Sequence, residues 1–390
     1  MYPFSQRLPW SHAPNALSRA AAEKRAAGAA LLDLTISNPT AVFPYPHHEI
    51  AEALSCCRDF TYRPDPFGLE QARAAVSRLY LAEGVAISTS RIALAASTSE
   101  AYALLFKLLC NPGDELLVPV PSYPLFEYLA ALEGVRVVPY RLEYDGAWFI
   151  DFDNLRAKLS ARARAIVIVN PNNPTGSFLR SSECERLFEL AAGRGLPVIS
   201  DEVFLHFEFG RDPARVKSLA SFPQILSFAL NGLSKAAAMP QMKLAWIVIN
   251  GPAREISASR ERLELLLDTY LSVNTPVQLA LPALLEIGRR LREQILARCL
   301  INLQSAQATL AGTAAHALHV EGGWSVILQF PNTRSDEEWT ARLLAEKNVL
   351  LQPGYFFDLA HRACAVASLI TPPEIFREGL RRVADVLAIA

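Results

Sequence analysis

Residues 165–204 read AIVIVNPNNPTGSFLRSSECERLFELAAGRGLPVISDEVF. The segment opens on an apolar run, Ala165–Val169, and breaks at a loop rich in proline and asparagine. A helical pattern over Ser182–Gly193 follows, stops at Gly193–Gly195, and gives way to a second apolar run, Pro197–Ser200. Glycine just past the last periodic residue is a helix stop. Short, nearly continuous apolar runs suit strands buried on both faces of a mostly parallel sheet. The same alternation extends outward through Ile92–Ala96, Glu115–Val120, Ile225–Leu230 and Leu244–Asn250, with a helical pattern at Glu100–Leu109. It predicts an α/β domain with helices on both faces.

Beyond this region the pattern changes. Asp268–Ala314 reads as long and mostly helical. Short strands follow at Trp324–Phe330, Val349–Gln352 and Cys364–Ile370, with helices at Asp336–Glu346 and Pro373–Ala388. The expected division is a large domain over 46–275, a small α+β domain over 276–390, and an N-terminal segment, 1–45, packing onto the small domain.

Composition narrows the function. The 390 residues carry a formal charge of −1, with 51% hydrophobic and 20% charged residues. No long-range field draws such a chain to nucleic acid or to an anionic membrane. Six scattered cysteines (Cys56, Cys57, Cys110, Cys184, Cys299, Cys364) include no CxxC pair, so no metal site and no disulfide framework is expected. Neither a signal peptide nor a membrane-spanning run is legible, and the expected location is cytoplasmic.

In open α/β sheets ligands bind beyond the carboxyl ends of the strands. The residues expected there are Ser97-Thr98-Ser99, Tyr123, Asn173, Asp201 and Lys235. Hydroxyls, an aromatic, an amide, a carboxylate and a lysine converging on one crevice match the needs of a phosphorylated aromatic aldehyde. A desolvated lysine with a lowered pKa is a nucleophilic amine able to form a Schiff base. A buried carboxylate can favour a protonated pyridine nitrogen. A helix N-terminus flanked by hydroxyls binds a phosphate dianion. Simpler roles compete with each of these. Most lysines lie on the surface, Asp201 could be a turn or N-cap residue, Ser97 with Glu100 reads as a capping box, and Asn173 sits in a sequence that is already a good turn.

Asn170-Pro-Asn-Asn-Pro-Thr-Gly176, Asp201-Glu-Val-Phe204 and Ser234-Lys235, the last followed by Pro240 and a basic residue at 243, resemble the class I/II aminotransferase family in order and separation. The likeness runs from Asn38-Pro39 to Pro353-Gly354. It implies the aspartate-aminotransferase fold, with a seven-stranded-type sheet in the large domain, and pyridoxal 5'-phosphate bound as an aldimine on Lys235. That lysine would also shuttle the substrate's α-proton. The same likeness assigns Asp201 to the pyridine nitrogen, Asn173 to the phenolic oxygen and to substrate, Asn38 to substrate, and Tyr123 to stacking on the ring. Ser97, Thr98, Ser99 and Lys243 would hold the phosphate. Tyr62, in Thr61-Tyr-Arg-Pro-Asp-Pro-Phe-Gly68, would reach the phosphate of a neighbouring subunit in a homodimer, although one extra residue separates it from the glycine. The implied activity is transfer of an amino group from an amino acid or amine to a 2-oxo acid. A lyase, decarboxylase or racemase on the same scaffold and a non-catalytic relative are the competing readings.

Three positions depart from the family pattern. Phe204 stands where a tyrosine is usual, which predicts a raised aldimine pKa. Lys243 replaces an arginine, exchanging a planar fork for a point charge. Val366 occupies the place of the arginine that grips the substrate carboxylate through paired hydrogen bonds, with Arg362 four residues out of position. The expected substrate is therefore not an ordinary dicarboxylic amino acid.

Overall fold

Eight strands make the principal sheet, in the spatial order Ile92–Ala95, Ala245–Asn250, Ser227–Gly232, Val198–Asp201, Ala163–Val169, Glu115–Val120, Arg136–Tyr144 and Trp148–Ile150. The computed structural model describes the whole chain except residues 1, 3, 8, 9, 11, 12, 57, 59, 60, 360–362, 389 and 390. Cys57 and Arg362 lie outside the described residues. Ala245–Asn250 is antiparallel to both neighbours and Trp148–Ile150 to its one. The other six strands share a direction.

Ser227–Gly232 and Ala245–Asn250 are buried at every position, as their apolar runs require. Side chains alternate between faces. Ala165 and Val167 join Tyr102, Phe106 and Phe228 on one side, while Ile166 and Ile168 join Leu117, Tyr140 and Leu187 on the other. The sheet has one strand more than the expected seven. The sequence reading missed Arg136–Tyr144 and Trp148–Ile150, because the longer strand lies near the edge and exposes Arg136, Pro139 and Arg141.

The helix Ala253–Tyr270 lies mostly before the expected stretch Asp268–Ala314, and the 36-residue Thr275–Leu310 fills most of it. Asn274 caps the second, its side chain accepting from Val277 N–H. This helix runs beneath the turn that follows Ser227–Gly232. A Cβ at Gly288 would stand 2.5 Å from Ala237 Cα, and the Arg292 guanidinium donates to the Ala236 carbonyl.

A second, antiparallel sheet has the order His316–Ala317, Ser325–Gln329, Cys364–Ser368, Gln352–Pro353. The expected strand Val349–Gln352 is in fact divided. Val349–Leu350 pairs in parallel with Leu32–Asp33, whereas Gln352–Pro353 pairs with Cys364–Ser368. The Ala16–Ala26 helix places Ala21 against Leu344 and Leu350. Earlier residues reach elsewhere: Arg7 donates to the Leu132 carbonyl and Trp10 packs on Tyr128 at 4.6 Å.

Candidate active site

The six co-directional strands end at one edge of the principal sheet, where the reversed strand Ala245–Asn250 begins. Along that edge lie Ser97–Ser99, Lys243, Lys235, Asp201, the Asn170–Gly176 loop and Tyr123. Strand order thus places six separate segments beside one another.

Lys235 sits in the short helix Leu233–Ala236, directly after its strand. Its amine lies 4.9 Å from the centre of the Trp324 ring and 5.7 Å from that of Phe204. These rings meet edge to face at 5.3 Å, and Phe207 packs on Trp324 at 5.0 Å. Burial among them lowers the Lys235 pKa, while the charge of Asp201 acts in the opposite sense. Aromatic walls remove water from an ammonium and also attract it through their faces. The resolved direction is downward.

Asp201 closes its strand and accepts from Tyr102 Oη at 3.0 Å and from Val203 N–H at 3.1 Å. Burial raises its pKa to about 6 against those two donors and the charge of Lys235. Its neighbour Glu202 is fully buried and accepts from Ser200 Oγ, Ser218 Oγ and Leu219 N–H. Burial raises that pKa to about 7. Asn231 Nδ2 donates to the Glu202 carbonyl, tying the strand that carries Asp201 to the one that leads to Lys235.

Ser97 caps the Thr98–Leu109 helix by accepting from Glu100 N–H at 3.1 Å. The expected capping box is only half made. Glu100 Oε2 accepts from Ala96 N–H and Ser272 Oγ, not from Ser97 N–H, so its carboxylate is folded back beside the turn. Lys243 is exposed in a left-handed conformation, φ 50°, just before its strand. Asn173 Oδ1 accepts from Ser325 Oγ at 3.3 Å. Asn38 and Lys235 line one cleft of about 680 Å³ with Ser37, Tyr45, His47 and Gln241.

Tyr123 is 52% exposed and lines a separate depression with Tyr128 and Tyr355; Tyr62 is 74% exposed in another with Arg63 and Leu271. Val366 pairs with Ile327 and Gln352 and packs with Trp148, Leu318, Phe357 and Leu359, an apolar setting. The sequence reading overlooked Tyr102 and Trp324. Tyr102 sits four residues into the helix opened by Thr98, and Trp324 follows Gly322-Gly323 at the start of a strand. Neither position carries a local signal.

A weakly basic lysine and a buried carboxylate, flanked by hydroxyls at a helix N-terminus, have the chemistry to take a phosphorylated, protonated heteroaromatic aldehyde. The chain belongs to the aminotransferase class I and II family, whose model matches residues 31–377. It is a pyridoxal-phosphate-dependent transaminase of the aspartate-aminotransferase fold. Among its relatives, glutamate-pyruvate aminotransferase AlaA of Haemophilus influenzae is 30% identical over 85% of this chain and 84% of its own length. Alanine aminotransferase of Mycobacterium tuberculosis is 32% identical over 67% of this chain and 61% of its own. The solved alanine aminotransferase from Pyrococcus furiosus superposes with a TM-score of 0.89 at 25% identity, covering all of both chains.

Proposed function

We propose that Lys235 is the reacting amine and proton carrier of this transaminase and that Asp201 holds the cofactor's ring nitrogen. The observation that carries this reading is the placement of the Lys235 amine over the Trp324 and Phe204 rings, within the field of Asp201. Pyridoxal phosphate supplies the aldehyde that exchanges for an amino group and a ring that draws electrons from the substrate's α-carbon. The protein's residues supply the rest. With its pKa lowered, Lys235 Nζ is the base that takes the substrate's α-proton. Asp201, oriented by Tyr102 and Val203, keeps the ring nitrogen protonated. Ser97, Thr98, Ser99 and Lys243 hold the phosphate, Asn173 the ring oxygen, Tyr123 the ring face, and Asn38 the substrate.

The substrate we propose is an amino acid or amine with a single anionic group at most. Supporting this, Val366 lies among apolar side chains, and among the described residues lining the Lys235 cleft there is no arginine. The relative named alanine aminotransferase makes alanine the first amino donor to test, with a 2-oxo monoacid other than pyruvate as acceptor. We further propose a cytoplasmic homodimer of two-domain subunits divided near residues 45 and 275. The exposed Tyr62, lining one depression with Leu271, supports a contact there. No helix is long and apolar enough to cross a membrane.

The test is spectral. Purified protein should show a visible cofactor band that Lys235→Ala abolishes, and the band should respond to small amino acids or amines added singly. A band that survives Lys235→Ala rules out the assignment of the amine. Efficient turnover of aspartate with 2-oxoglutarate rules out the substrate class.

A further inference from the structure

Glu321 lies far from the cleft in sequence and takes no part in the chemistry above. It is 3% exposed. Its Oε1 meets the Arg180 and Arg215 guanidinium groups, and its Oε2 accepts from Phe178 N–H at 3.1 Å. Arg180 also pairs with Asp212. Arg215 is 9% exposed, pairs with Glu208 at 3.0 Å and stacks over Phe178. The backbone beside Glu321 is engaged as well. Its N–H donates to the Gly176 carbonyl, its carbonyl accepts from Phe209 N–H, and Gly323 N–H donates to the Phe207 carbonyl. Gly176, at φ 68°, leaves room for this approach: a Cβ there would stand 2.4 Å from the Gly322 carbonyl oxygen.

The cluster has a working residue on each side. One strand of it is the Asn170–Gly176 loop with Asn173; the other runs to Trp324, over Lys235, and to Ser325, which donates to Asn173. We propose that Glu321 is a positioning residue, clamping the segment 320–325 to the Asn173 loop so that Trp324 and Asn173 are set against Lys235. A carboxylate shared by two guanidinium groups and a backbone N–H has a defined geometry that a neutral group does not reproduce. Small displacements of reacting groups are costly, on the order of 100-fold for 1 Å. The inference rests on the reading of Lys235 as the reacting amine.

Holoenzyme carrying Glu321→Gln tests it. This variant keeps the shape and an acceptor for Phe178 N–H but removes the charge. The cofactor band should persist while its circular dichroism falls, because the ring loses its fixed surroundings, and kcat/KM should drop on the order of tenfold or more. Glu321→Gln added to Trp324→Leu should then cost little beyond Trp324→Leu alone, since both act through one contact. Arg180→Gln, at the more exposed member of the cluster, provides a second variant with the same expected losses. Undiminished circular dichroism in the single variant, or losses that add fully in the double variant, overturn the proposal. The band itself, and its loss in Lys235→Ala, reports separately on the role of the lysine.

Discussion

At the scale of the residue, Phe204 makes the sharpest prediction. It is buried, edge to face with Trp324, and presents its ring to the Lys235 amine without a hydroxyl. Phe204→Tyr introduces a donor beside the cofactor's oxygen. One hydrogen bond to a charged acceptor is worth about 1.5 kcal/mol, close to one pH unit. The midpoint of the cofactor's visible absorbance should therefore fall by about one unit, and an unmoved titration curve refutes the placement. Lys235 and Asp201 were legible because each follows its own strand within a short local motif. Trp324, Tyr102 and Glu321 were not, because their partners lie roughly ninety to 150 residues away and only the folded sheet brings them together. Glu100 shows the finer limit. Its spacing from Ser97 predicts the cap, but Ala96 N–H and Ser272 Oγ decide where its carboxylate goes.

At the scale of the element, the 36-residue helix Thr275–Leu310 acts as a support for the lysine turn. In an open helix interior, Gly→Ala stabilises by about 1 kcal/mol. At Gly288 the added methyl would meet Ala237, two residues from Lys235, at contact distances near 2.5 Å. Overpacking of that kind costs about 1–3 kcal/mol, so the steric effect prevails. Gly288→Ala should lower the melting temperature and weaken cofactor binding, read by thermal denaturation and equilibrium dialysis; a rise in both would show that the helix does not bear on the turn. The helix itself was expected from sequence, as were Pro373–Ala388 and the buried strands, whose apolar runs are nearly continuous. Arg136–Tyr144 escaped because its exposed arginines interrupt the apolar run. Val349–Gln352 looked like one strand because sequence does not show that its two halves pair with different partners.

At the scale of the whole molecule, the burial of two adjacent acids sets an unusual pH dependence. Asp201 and Glu202 both titrate higher in the folded protein than in the unfolded chain, at about 6 and about 7. Between their ordinary values near 4 and these raised ones, the folded state holds protons that the unfolded state has released. Stability of the cofactor-free protein therefore falls as pH rises through that window. His206, lowered by burial, tilts the other way, so the informative comparison is with Asp201→Asn. Denaturant midpoints taken from pH 4 to 8 should decline less steeply in that variant, and parallel curves would show that Asp201 is not the source. The principal sheet and the second, smaller sheet were both expected from the change in pattern near residue 270. Their contact at Glu321 was not, since nothing local marks it. Trp324 has one more consequence. A polypeptide emerging from the ribosome displays Lys235 some ninety residues before the indole beside its amine has been made, so the finished amine pocket arises only once the second sheet has begun to be synthesised.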